Sequence, residues 1–95
     1  MAAVCIQVIN PNTSLAMTES IGAAARAVAA PGTKILAVCP GEGVPSIEGH
    51  FDEAIAAVGV LEQIKAGRQQ GVDGHVIACF GDPGLLAARE LAQGP

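Results

Sequence analysis

Cys79 is the residue of this chain best placed to move a proton. It follows the apolar run Gly74-His75-Val76-Ile77-Ala78 and precedes Phe80-Gly81-Asp82-Pro83, the pattern of a strand that ends in a glycine turn. Asp82 as a cap and Pro83 at the first helical position predict a helix amino terminus immediately after it. Backbone amides and the positive end of a helix dipole at such a point favour negative charge, on a thiol or on a developing oxyanion. A cysteine in that setting can serve as general acid or base beside a carbonyl. The position also suits a small buried apolar residue, the commonest state of a cysteine.

The other polar groups divide by place. Asn10, Asn12, Thr13 and Ser14 gather short side chains that can hydrogen-bond a small ligand, although turn and cap chemistry accounts for Asn-Pro-Asn-Thr equally well. Glu48, His50, Asp52 and Glu53 hold one imidazole among carboxylates that also suit the first turn of a helix, so no metal site is expected. Gly41-Glu42-Gly43 lacks the spacing of a phosphate loop. Cys5 falls inside a strand and is expected to be inert. Cys39 ends another strand, about 10 Å from Cys79 if two strand spacings separate them, beyond the ~7 Å limit for a disulfide.

These residues need a scaffold, and three strand–helix cycles supply one. Ala3 to Ile9 is an apolar, β-branched run closed by Asn10-Pro11-Asn12, which predicts a buried parallel strand. Residues 14 to 30 predict a helix capped by Asn12 or Thr13, with Ile21, Ala25 and Val28 as its inner stripe and Pro31-Gly32 as its stop. Lys34 to Cys39 is the second strand. A glycine- and proline-rich loop leads to a second helix from His50 towards Gly71, with Ala54, Val58, Leu61 and Ile64 inward and Gly59 as a candidate interruption. Gly74 to Cys79 is the third strand and Asp82-Pro83 opens the third helix. The cycle predicts an α/β fold, a parallel sheet in a flavodoxin-like βαβαβα unit of order 2-1-3, with chemistry at the carboxyl ends of the strands.

Composition bounds the rest. The chain has 95 residues, 51% of them hydrophobic, but Phe51 and Phe80 are its sole aromatics. One domain with a core of Ala, Val, Ile and Leu follows. The net charge of −4 and the scattered Arg26, Lys34, Lys65, Arg68 and Arg89 leave no footprint for nucleic acid. No apolar run approaches the ~18 residues of a membrane span, and no signal-peptide order is present. Three cysteines, an odd number without paired spacing, point to reduced thiols and a cytoplasmic setting. The sequon Asn12-Thr13-Ser14 is then a chance match. Leu91-Ala92-Gln93-Gly94-Pro95 ends on a helix stop, as though a further strand should follow.

Three segments in register resemble the hydantoin and allantoin racemases of the aspartate/glutamate racemase superfamily. They are Val8 to Ser14, Ser46 to Ala54, and Val76 to Gly84. The resemblance implies that residues 1–95 are the amino-terminal one of two pseudo-symmetric domains, the second lying beyond this chain. It implies a cofactor-independent, metal-free racemase acting on a cyclic ureide, with one catalytic cysteine from each domain and Cys79 as the first. Asn10, Thr13, Ser46 and Ile47 would line the substrate, and Phe80 and Gly81 would offer it backbone amides. A homo-oligomer is the family expectation, and this segment alone would be inactive. Other activities of the superfamily remain open: amino-acid racemase, maleate isomerase or arylmalonate decarboxylase. So does a non-catalytic assembly unit.

Overall fold

A computed structural model describes residues 3–95. The chain runs β1 (Val4–Ile9), α1 (Leu15–Val28), β2 (Thr33–Val38), α2 (His50–Gln69), β3 (Gly74–Ile77), α3 (Leu85–Leu91). The three strands form one parallel sheet of order β2-β1-β3, as the alternating pattern predicts. β1 is central, with Ile9 opposite Val38 on one side and Ile77 on the other.

Alternation along β1 decides which helix meets which face. Ile9 packs with Val60 and Ile64 of α2 and Ala88 of α3 in the buried core, with Val38, Leu61, Ile77 and Leu91 against it. Asn10 faces the other way and meets Thr18 of α1. The helices therefore cover opposite faces, α2 and α3 on one and α1 on the other. Among the described residues α1 packs on β2 and β1, and Val76 of β3 is left exposed on that face.

Helix interiors differ from the hydrophobic spacing. α1 buries Thr18 and Gly22, and of the expected stripe Ile21 and Ala25 are half-buried while Val28 is 85% exposed. The reason is proximity. A methyl group on Gly22 would lie 2.8 Å from Ala37 Cβ, so the helix approaches β2 too closely for a branched side chain. Its cap is Ser14, whose Oγ accepts from Met17 N at 3.1 Å, and neither Asn12 nor Thr13. In α2 the buried positions are Ala56, Val60, Ile64 and Gly67, so Ala54 and Val58 of the expected stripe face solvent and Leu61 is half-buried. Gly59 does not interrupt this helix. It lies under Pro40, where a methyl group would meet Cγ at 2.7 Å.

β3 is shorter than its apolar run because Cys79 N turns back to Ile77 O at 3.0 Å and takes the chain out of the sheet. The third helix also starts later than Asp82-Pro83 predicts. Asp82 adopts a left-handed φ of 48°, its carbonyl accepts from Leu85 N, and Gly84 at φ 78° is the cap. At the far end of β3, His75 N donates to Pro95 O at 2.8 Å, so the last residues run beside this strand.

Candidate functional site

Three loops meet at the carboxyl end of the sheet. The first is built on Asn10, whose buried amide donates to Asn12 Oδ1 at 2.8 Å and to Thr18 Oγ1 at 3.1 Å. Asn12 Oδ1 also accepts from Ser14 N at 2.9 Å, and Thr18 Oγ1 donates to Ser14 O. The Asn10 side chain is thus committed inside the loop, where it orders the turn that presents Thr13. Thr13 N donates to Val44 O at 3.0 Å, which ties the first loop to the second. Ser46 is exposed and Ile47 half-buried in that second loop, two residues or more beyond the tie.

The third loop carries Cys79. Its thiol is free and half-buried, and Cys79, Ile77, Ala78, Phe80 and Asp82 line an open concavity of about 530 Å³. Ala78 N still donates to Ile9 O, anchoring the loop to the central strand. Asp82 N donates to Cys79 O, whereas among the described residues neither Phe80 N nor Gly81 N has an acceptor. Two adjacent backbone donors beside a thiol can hold an oxygen that gains negative charge. The structure removes one premise, however. α3 begins six residues after Cys79 and is capped by Gly84, so no helix amino terminus abuts the thiol and Asp82 caps nothing.

Three features at or near this end escape sequence reasoning. Both aromatics stand exposed at this rim, Phe51 at the start of α2 and Phe80 beside the thiol. Asp52 Oδ2 accepts from Glu48 N at 2.9 Å and so closes the start of α2, where Gly49 offers no side chain. Glu53 does something else: a methyl group on Gly81 would lie 3.4 Å from its Oε2, so this carboxylate rests against the Cys79 loop. Among the described residues no three His, Cys, Asp or Glu side chains gather as metal ligands. Among the described residues no helix is long and apolar enough to cross a membrane.

A second concavity, about 590 Å³, lies at the opposite end of the sheet against Lys65, Arg68, Asp73 and His75. His75 Nδ1 lies 2.7 Å from Gln7 Oε1 and, facing a carbonyl oxygen, is the donor. Burial, and then the Arg68 charge, hold the His75 pKa below its ordinary 6.5. This end has none of the strand carboxyl ends at which open α/β sheets bind ligands, so the site is assigned to the Cys79 end.

An open parallel α/β sheet with a free thiol at the end of β3 and two unengaged amides next to it defines the class: a fold for small-molecule chemistry at the strand ends. The chain belongs to the Asp/Glu/Hydantoin racemase family, which matches residues 6–95. It is 54% identical over 90 residues to the hydantoin racemase of Pseudomonas sp. (strain NS671), covering 95% of this chain and 36% of that protein. The hydantoin racemase of Paenarthrobacter aurescens is 52% identical over 91 residues, 95% of this chain and 39% of its own length. Among solved structures, allantoin racemase from Klebsiella pneumoniae superposes with a TM-score of 0.96 at 90% identity, over 98% of this chain and 38% of that one. Allantoin racemase from Pseudomonas fluorescens gives 0.91 at 38% identity, over 97% and 39%. The chain thus spans less than two fifths of the length of these relatives.

Proposed function

We propose that the natural protein is a cofactor-independent racemase of hydantoins or allantoin, and that residues 1–95 are the first of its two pseudo-symmetric domains. The observation that carries this reading is Cys79 at the carboxyl end of β3, lining a concavity beside the amides of Phe80 and Gly81, in a chain of this family. In the reaction one thiolate takes the hydrogen from the α-carbon, and the electron pair of the broken C–H bond passes into the adjacent carbonyl. A thiol on the opposite face then gives its proton to the carbon, which inverts it. Cys79 is one of the two thiols and the second comes from the other domain. The Phe80 and Gly81 amides stabilise the enolate oxygen, each by about 3 kcal/mol in comparable sites.

Thr13, Ser46 and Ile47 line the substrate, and Asn10 acts by fixing the loop that carries Thr13. The protein is cytoplasmic and assembles as a homo-oligomer, and residues 1–95 alone do not turn over substrate. The test is to give the full-length protein one enantiomer of a 5-substituted hydantoin, and separately of allantoin, with chelator present and nothing else added. Optical rotation should decay faster than the spontaneous rate, and Cys79→Ala should abolish the difference. A rate unchanged by Cys79→Ala sinks the reading.

A further inference from the structure

Charge is segregated along the sheet axis. Glu42, Glu48, Asp52, Glu53 and Asp82 all lie in the loops and first helical turn at the Cys79 end. None of the five Lys and Arg residues does. Arg26 donates to Ile35 O in the lower half of β2, Lys34 is at the start of that strand, Lys65 and Arg68 line the opposite concavity, and Arg89 lies in the last turn of α3. The site end therefore presents one sign of charge, and such a rim disfavours anions before they arrive.

Glu53 brings that charge to the reacting loop. Its side chain is 38% exposed and its carboxylate rests against Gly81, two residues from Cys79. Asp52 is already engaged at Glu48 N, so Glu53 is not needed to close the helix. His50 Nδ1 lies 3.8 Å from Glu53 Oε1, but that side chain is fully exposed and solvent screens the pair. Among the described residues, neither Glu53 nor the adjoining Asp82 thus has a Lys or Arg partner beside the Gly81 turn.

We propose that Glu53 is a specificity-determining residue that rejects substrate-sized molecules bearing a carboxylate. This rests on the racemase reading and adds to it a reason for discrimination. A cyclic ureide is uncharged. Opening its ring by hydrolysis yields an N-carbamoyl amino acid, which has nearly the same shape and a full negative charge. A site with Glu53 packed against its Gly81 turn admits the ring and excludes the ring-opened acid, which would otherwise occupy it as an inhibitor. Asp82, which lines the concavity itself, acts in the same direction. The amides at Phe80 and Gly81 remain free for an oxygen that gains charge only during the reaction.

The experiment compares inhibition of hydantoin racemisation by an N-carbamoyl amino acid and by its primary amide, which differ in charge at near-constant shape. In the unmodified full-length protein the amide should bind better, and the gap should narrow as salt rises. In Glu53→Gln the ratio of the two inhibition constants should fall by roughly three- to tenfold, the size of one like-charge repulsion across several ångström of half-exposed space. The KM for the neutral hydantoin should change much less. Should Glu53→Gln fail to fold, the same ratio read in Glu53→Ser decides, with Asp82→Asn separating the two carboxylates. An equal ratio in both proteins, or a ratio indifferent to salt, overturns the role of Glu53. Absence of any racemisation in the unmodified protein would instead overturn the reading on which it rests.

Discussion

Replacing Gly67 by Ala should destabilise the fold, although the substitution usually strengthens a helix. Ala is favoured over Gly in a helix interior by about 1 kcal/mol, so an exposed glycine would gain that amount. Gly67 instead faces Gln7, and the added methyl would lie 2.5 Å from Gln7 Oε1, 2.8 Å from Cδ and 2.9 Å from Nε2. Gln7 is 1% exposed and cannot swing into solvent. Its amide also joins three elements, donating to Gln63 O of α2 at 2.9 Å and accepting from His75 of β3 at 2.7 Å. Overpacking costs about 1–3 kcal/mol, and a buried polar group that loses its partner costs a further 1–3 kcal/mol or so. Set against the propensity gain, the net loss is about 1–5 kcal/mol. Urea unfolding of the full-length protein measures it, read as a shift in midpoint with unchanged slope. Adding Gln7→Ala to Gly67→Ala should recover part of the loss, since the methyl then fills the vacated space. A Gly67→Ala protein as stable as the parent, or more so, would refute this account of the α2–β1 contact.

Stability should also decline as pH drops below 6.5. His75 has a lowered pKa when folded, so the unfolded chain binds more protons between the folded value and 6.5; the stabilisation is present above 6.5 and is lost as pH falls through that window. Unfolding midpoints across pH 5 to 8 check the sign, and Arg68→Gln should weaken the dependence without abolishing it, because burial is the larger cause. Gly84→Ala should cost about 1–3 kcal/mol, since its φ of 78° is left-handed and the methyl would meet Ala57 Cβ at 3.3 Å. Thermal unfolding of that variant tests it, and a neutral result would mean that the turn before α3 can relax.

The sheet was legible because each strand is a short apolar run bounded by Pro, Asn or Gly, and the alternation of strands and helices leaves little choice of topology. Helix faces were less legible. Hydrophobic spacing points to Ile21 and Val28 in α1, but the approach to Ala37 is so close that Gly22 makes it, and Thr18 is buried beside Asn10. Gly59 reads locally as a helix breaker and is a packing site for Pro40, a residue from another loop. Cys79 stood out through its position at a strand end. The cap expected at Asp82 did not form, because Gly84 supplies the left-handed turn and moves the start of α3 to Leu85. The buried Gln7 network had no local signal at all, for its partners lie 56 and 68 residues away. Glu53 was concealed in the same way: a carboxylate in a first helical turn is ordinary until the fold sets it against Gly81.

The two-thiol mechanism meets its most direct test in isotope exchange by the full-length Cys79→Ser protein in deuterated water. Serine cannot act as the base near neutral pH, so racemisation should stop in both directions. The remaining cysteine can still remove the hydrogen that faces it and return a solvent deuteron to the same face. One enantiomer should therefore take up deuterium at the α-carbon without inversion while the other does not, after subtraction of spontaneous exchange. Equal labelling of both enantiomers, or racemisation that persists above the uncatalysed rate, would contradict it and leave Cys79 a structural residue.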